Sequence, residues 1–278
     1  MKKNILIQVC IAMLIYFSGI SQETLKVKAY TNLNEALTEP EKVLYLDLDA
    51  NSKDSINRYL GQFINLEHLN LSDCGLSVLT DDISKCSKLR WLTLSGNNLG
   101  TLPKSISELH DLEAIWFDGN SNIILTNELY ELKQLRVLVA NGCGLKSISD
   151  KIVQFQNLEL LSLKGNKLLS FPNEITQLSK LKSLDLSGNQ ITELPTGISN
   201  LISLTRIDLG SNQLKNTDAI KNLPNVKFLG LSNNLLETVP SFFETLPSLK
   251  QLDLPGNPLD DRQVKILSKE HRACKITF

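Results

Sequence analysis

The chain lacks a charge excess of either sign. Its 278 residues carry 29 Lys plus Arg against 30 Asp plus Glu, a formal net charge of -1. A nucleic-acid binder shows a basic surplus or a basic stripe along one element, and neither is present, so no nucleic-acid partner is expected. Aromatic residues make up only 6%, with two tryptophans. Histidines number three, at His68, His110 and His271. They stand too far apart to share the convergent spacing a zinc site needs, so neither a metal nor a cofactor is expected. The chain also lacks G-x-S-x-G, a phosphate loop and H-E-x-x-H, the short motifs that place a nucleophile, a nucleotide or a metal-bound water. An enzyme is not expected.

Long apolar runs are missing too. The stretch from Ile5 to Phe17 is 13 residues, interrupted by Gln8, against the ~20 that a membrane-spanning helix requires. Lys2 and Lys3 precede it, and Gly19-Ile20-Ser21 follows with small residues where a signal peptidase cuts. This is the layout of a secretory signal peptide over residues 1–21, and it implies export to a secreted, periplasmic or cell-surface location. An uncleaved N-terminal anchor is the alternative, and the only route to a membrane association. Cys10 has no small residues before it, which argues against lipidation. Cleavage after Ser21 leaves Cys74, Cys86, Cys143 and Cys274.

What the chain does have is a period. Leu66, Leu89, Leu112, Leu135, Leu158, Leu181 and Leu204 recur every 23 residues, with Val43 one step before, and Val226 and Leu249 after. Each opens a phrase L-x-x-L-x-L-x-x-N-x-L, as in Leu89-Arg-Trp-Leu-Thr-Leu-Ser-Gly-Asn-Asn-Leu99. A fixed period of this length is the signature of a solenoid, whose units bury their apolar sides only by stacking. On these residues the chain resembles the leucine-rich-repeat family in its 23-residue class, as found in secreted bacterial members. The resemblance implies a right-handed α/β horseshoe: a concave parallel β-sheet with short helical or irregular convex segments. Ten repeats are read over 43–259, a cap helix within 22–42 and a C-terminal cap over 260–278. The paired cysteine clusters that cap many animal extracellular members are missing.

Each column has a physical reading. Positions 4 and 6 are Leu or Ile almost throughout, and their alternation turns both to one face of a short strand. Position 9 is Asn51, Asn97, Asn120, Asn166, Asn189, Asn212, Asn234 and Asn257. There the chain leaves the strand, and an amide can offer a donor and an acceptor to the stranded backbone. Cys74 and Cys143 fill the same column, and Cys86 fills position 21, otherwise Leu or Phe, so all three read as buried thiols. Lys53, Ile123 and the early Ile220 and Leu223 depart from the pattern and mark local irregularities. Asn32-Leu-Asn-Glu35 resembles a capping box opening a helix that Pro40 ends, and Asp261 to Glu270 reads as a helix before a final strand with Cys274, Ile276 and Phe278 inward.

Positions 3 and 5 then face the concave side. They place Tyr45, His68, Trp91, Trp116, Val137, Val139 and Leu160 toward the N-terminal and middle repeats, and Asp185, Arg206, Asp208 and Phe228 further on. Both tryptophans fall in these columns. An exposed contiguous patch with two Trp marks a contact surface, so a protein or peptide ligand on the concave face is expected. A glycan is the alternative ligand, since aromatic platforms and carboxylates on one face would suit sugar. A purely adhesive surface protein, or an intracellular-type scaffold if the N-terminal segment is no signal, are the other readings. Asp185 and Asp208 read as a solvated charged pair.

Overall fold

The computed structural model describes residues 28–48, 56–239, 246–260, 262 and 274–278. The signal segment 1–21, Asn51, Lys53 and most of the expected helix over 261–270 lie outside the described residues.

Among the described residues twelve strands form one sheet in strict chain order. They are β1 (Ala29–Tyr30), β2 (Tyr45–Asp47), β3 (His68–Asn70), β4 (Trp91–Thr93), β5 (Ala114–Trp116), β6 (Val137–Val139), β7 (Leu160–Ser162), β8 (Ser183–Asp185), β9 (Arg206–Asp208), β10 (Phe228–Gly230), β11 (Gln251–Asp253) and β12 (Lys275–Thr277). All neighbours run parallel, and His68 lies beside Trp91, Leu69 beside Leu92 and Asn70 beside Thr93. The sequence period is therefore the sheet register. Only three residues per repeat are extended, because the turn at position 8 ends each strand. There the backbone is left-handed: Gly188 has φ 67° and Ser211 φ 55°. A Cβ on Gly188 would lie 3.3 Å from the Cα of Gly165, so glycine serves both the turn and the close stacking of neighbouring turns.

The convex return is a five-residue 3₁₀ helix in most repeats, such as Lys104–Glu108 and Asn173–Gln177. Pro103 and Pro172 sit at the N-cap of these segments, where a missing N–H costs nothing. The tighter 3₁₀ coil fits because a 23-residue repeat leaves too little chain for a full α-helix on the convex side. Positions 1, 4, 6, 11, 14, 18 and 21 meet in one core that runs the length of the solenoid.

The irregular repeats behave as their sequences imply. Ile123 takes the core place in repeat four, while Ile124 is 63% exposed and bridges to Thr101. In repeat eight the register steps by 22, from Arg206 to Phe228, and Ile220 and Leu223 are buried. At the N-terminal end Leu33–Ala36 (α1) is capped by Asn32, whose Oδ1 accepts from Glu35 N at 3.2 Å. The Glu35 carboxylate takes Lys28 Nζ at 2.8 Å instead of returning to Asn32, so half of the expected capping box forms. The helix ends by Leu37, and Pro40 opens a separate 3₁₀ turn, Pro40–Lys42. At the other end Cys274 and Ile276 pack on the core but Phe278 is exposed. Its inward placement was wrong: β12 stops at Thr277, and Phe278 lies past the alternation.

The three core thiols are free and buried. Burial pushes the Cys86 thiol up to about 12, with Asp82 adding to it, and the Cys143 thiol to about 11. Thiolate is the reactive form. Titration with a thiol reagent is expected to label Cys74, Cys86 and Cys143 only after denaturant is added, with Cys274 labelled first. Rapid labelling of all four in the folded state would contradict this packing.

Candidate functional site: the concave face

The Asn column comes first, because it holds the strands in place. Asn97 Nδ2 donates to Leu71 O of the preceding repeat at 2.8 Å and to Leu94 O at 2.7 Å, and its Oδ1 accepts from Leu76 N at 2.9 Å. Asn120, Asn166, Asn189, Asn212, Asn234 and Asn257 repeat this pattern. Each amide thus ties two repeats together and satisfies backbone groups that the end of the strand leaves unpaired. Where Cys replaces Asn, the donor survives: Cys143 Sγ donates to Phe117 O at 3.4 Å.

On the opposite side of the strands, positions 3 and 5 form the row read from the sequence. Tyr45 meets His68 edge-on, with ring centroids 5.5 Å apart and an interplanar angle of 81°. His68 stacks on Trp91 at 3.9 Å and 6°. Next come Ala114, Trp116, Val137, Val139 and Leu160, a second apolar cluster separate from the main core, with Trp91 packed against it. This cluster departs from expectation in one respect: Trp116 is only 4% exposed and Val137 1%. Adjacent strands stand ~4.8 Å apart, so large side chains in one column pack on each other instead of standing free in water. Tyr45, Trp91 and Phe228 keep part of their surface open.

Two polar atoms in the aromatic row, His68 Nε2 and Trp91 Nε1, are enclosed without a partner among the described residues. Burial, and secondarily the charge of Arg90, pulls His68 down to about 4, so the ring is neutral at pH 7.

The C-terminal part of the face is polar. Asp185 Oδ1 accepts from Ser187 N at 2.9 Å and Ser187 Oγ at 2.6 Å. Asp208 Oδ1 accepts from Gly210 N at 3.1 Å, and its other oxygen faces Arg206 at 3.4 Å. Burial raises the Asp208 carboxyl, Gly210 opposes this, and the charge of Asp185 adds to it. These carboxylates therefore tie down their own turns and are partly buried, not the solvated pair expected from sequence. The Arg206 guanidinium lies 3.5 Å from the Phe228 ring centroid. A Cβ at Gly230 would lie 2.5 Å from Asp208 Oδ1, so a side chain fits there only if Asp208 moves. The structure thus gathers Tyr45 to Leu160 into one group and Asp185 to Phe228 into another, with Ser162 and Ser183 between them. Among the described residues no group of three His, Cys, Asp or Glu could hold a metal ion, and no helix is long and apolar enough to cross a membrane.

One feature escaped the sequence reading. Position 2 runs Glu67, Arg90, Glu113, Arg136, Glu159, Lys182, alternating in sign at every 23-residue step. Reading the column down the stack would have shown it. Arg90 pairs with Glu113 at 2.6 Å, Arg136 with Glu159 at 2.5 Å and Lys182 with Glu159 at 2.7 Å, while Arg136 lies 3.9 Å from Glu113.

A one-sheet solenoid with an Asn ladder and 3₁₀ returns is a leucine-rich-repeat architecture, and the comparisons agree. The leucine-rich-repeat family profile matches residues 64–121, 133–191, 156–214 and 202–259. The chain belongs to the leucine-rich-repeat family. Similar solved structures include a leucine-rich-repeat protein of Leptospira interrogans, 24% identical, with a TM-score of 0.58 over 90% of this chain and 100% of that one. An internalin of Listeria monocytogenes is 19% identical, with a TM-score of 0.68 over 93% of this chain and 85% of that one. The receptor TLR13, solved with a single-stranded RNA, is 31% identical, with a TM-score of 0.66, but this chain spans 32% of its length. No curated protein matches the chain.

Proposed function

We propose that the chain is an exported recognition protein that holds a protein or peptide on its concave face and catalyses no reaction. The observation that carries this reading is the second apolar cluster. Trp91, Trp116, Val137, Val139 and Leu160 stand outside the main core, on the concave side of the strands, where they form a second packed layer. The edge of that layer, where Trp91 keeps part of its surface open, suits a contact patch. Export rests on the Lys2-Lys3 start, the short apolar run and the Gly19-x-Ser21 site.

The test has two arms. N-terminal sequencing of native protein should begin near Gln22, and a chain still carrying residues 1–21 would refute export. The chain should capture a protein from its native envelope or secreted fraction. Trp91→Ala should weaken that capture about thirtyfold, ~2 kcal/mol, while Glu108→Ala on the convex side leaves it unchanged. Equal binding by wild type and Trp91→Ala, with loss in the Glu108 variant, would move the site to the convex side.

A further inference from the structure

The alternating row at position 2 lies at the amino-terminal ends of the strands, where the convex return enters the sheet. Its first five places, Glu67 to Glu159, line an open groove of about 680 Å³ together with Lys88, Asp111, Gln134, Asn157 and Lys180. Its order is acidic, basic, acidic, basic, acidic, basic. An alternating row with an even number of places has a property that an odd one lacks: reversed end to end and laid against itself, every place meets its opposite. Glu67 meets Lys182, Arg90 meets Glu159, and Glu113 meets Arg136.

We propose that this edge is an interface between two copies of the chain, related by a two-fold axis passing between Glu113 and Arg136. A two-fold interface is isologous, so a patch must complement itself, and this row does so at all six places. Five strand steps of ~4.8 Å make the row about 24 Å long, a length suited to a protein–protein contact. The solenoid is curved, and a two-fold along the radius at mid-row carries an arc onto itself reversed, so curvature does not pull the pairs apart.

The neighbouring column supplies an independent check. Within one chain Lys88 Nζ bonds Asn65 Oδ1 at 2.7 Å, and Lys180 Nζ bonds Asn157 Oδ1 at 2.7 Å. The same two-fold brings Lys88 to Asn157 of the partner subunit and Lys180 to Asn65 of the partner subunit. The Lys–Asn pairing made inside each chain is thus offered again across the axis. Asp111 meets Gln134 of the partner subunit, and no like charges face each other in either column. A purely structural ladder needs alternation only between neighbours, and would serve as well with an odd count.

The row also shows how strong the contact is. All of its charges but Glu67 are already paired within the chain, and the side chains of Arg90 and Arg136 keep 34% and 26% of their surface, against 18% and 11% for Glu113 and Glu159. Across the axis they gain second partners with little new desolvation. Such a contact is electrostatic and reversible, and salt screens it: the Debye length falls from ~10 Å at 0.1 M to ~3 Å at 1 M.

Sedimentation equilibrium of the full chain tests the proposal. A dimer is expected at low salt and a monomer near ~1 M salt. Glu67 makes no ion pair among the described residues, so Glu67→Lys leaves the internal ladder intact yet sets two lysines face to face at each end of the row. It should weaken dimerisation at least about tenfold, as should Lys182→Glu, while Glu108→Lys on the convex side changes nothing. An equimolar mixture of Glu67→Lys and Lys182→Glu should recover wild-type association, because each variant complements the other at both ends. The proposal is overturned by a wild type that stays monomeric at about 100 μM in low salt. It is equally overturned by association insensitive to salt, by variants that dimerise as tightly as wild type, or by a mixture no tighter than its components. None of these readouts involves the concave ligand.

Discussion

Trp116→Ala should lower the unfolding free energy by about 3 kcal/mol, well beyond what an exposed side chain on an open sheet would cost. The indole is 4% exposed and packs in one cluster with Ala114, Val137, Val139 and Leu160. Truncation removes its transfer free energy and leaves a void that four neighbouring strands, fixed by their ladder bonds, cannot close. Trp91, partly exposed at the edge of the same cluster, should cost about 1 kcal/mol when truncated. Urea midpoints of the two variants beside Glu108→Ala settle the order. A Trp116 variant that unfolds with the Glu108 control would show that the cluster contributes nothing to the fold.

Asn166→Ala is expected to cost about 3 kcal/mol as well, by a different route. The Asn166 amide donates to Ala140 O and Leu163 O at 2.8 Å each, and its Oδ1 accepts from Cys143 N at 3.1 Å and Leu145 N at 3.0 Å. Alanine leaves these backbone groups inside the solenoid without that partner. Asn98→Ala, one place further along the consensus at an exposed position, should change the midpoint within ~0.5 kcal/mol. Equal midpoints for Asn166→Ala and Asn98→Ala would mean that the ladder does not bear on stability.

The architecture was readable because a period constrains every repeat at once. Leu69, Leu92 and Ile115 could be placed inward from spacing alone, and the same count put Trp91 and Trp116 on the other face. Contacts that depend on size and angle were not readable. Nothing in the spacing of Tyr45, His68 and Trp91 says that the middle ring stacks on one neighbour and meets the other edge-on. Burial of Val137 follows from bulky neighbours on adjacent strands, which a residue-by-residue reading treats as open. The strand Ala29–Tyr30, paired with Tyr45–Leu46, was missed because two residues are too few for a period-two signal. The ion-pair row was missed for the opposite reason: its pattern lies between repeats, while attention to the leucine columns favours what recurs unchanged.

The cysteine at position 143 has a mechanical consequence. A solenoid's cohesion is a sum of terms between adjacent units, so its resistance to being pulled or prised apart is set by the poorest junction. Between repeats five and six, Asn166 reaches across to three backbone groups. Between repeats four and five, the Cys143 side chain reaches back by one thiol bond to Phe117. A groove of about 510 Å³ opens at that same junction, lined by Ile123, Ile124, Tyr130, Cys143, Leu145 and Ile148. That junction, between the strand that carries Trp116 and the strand that carries Val137 and Val139, therefore leans on its ladder pairing and on the concave cluster where its neighbour leans on an amide, and the junction at Cys74, whose thiol reaches back to Leu48, does the same.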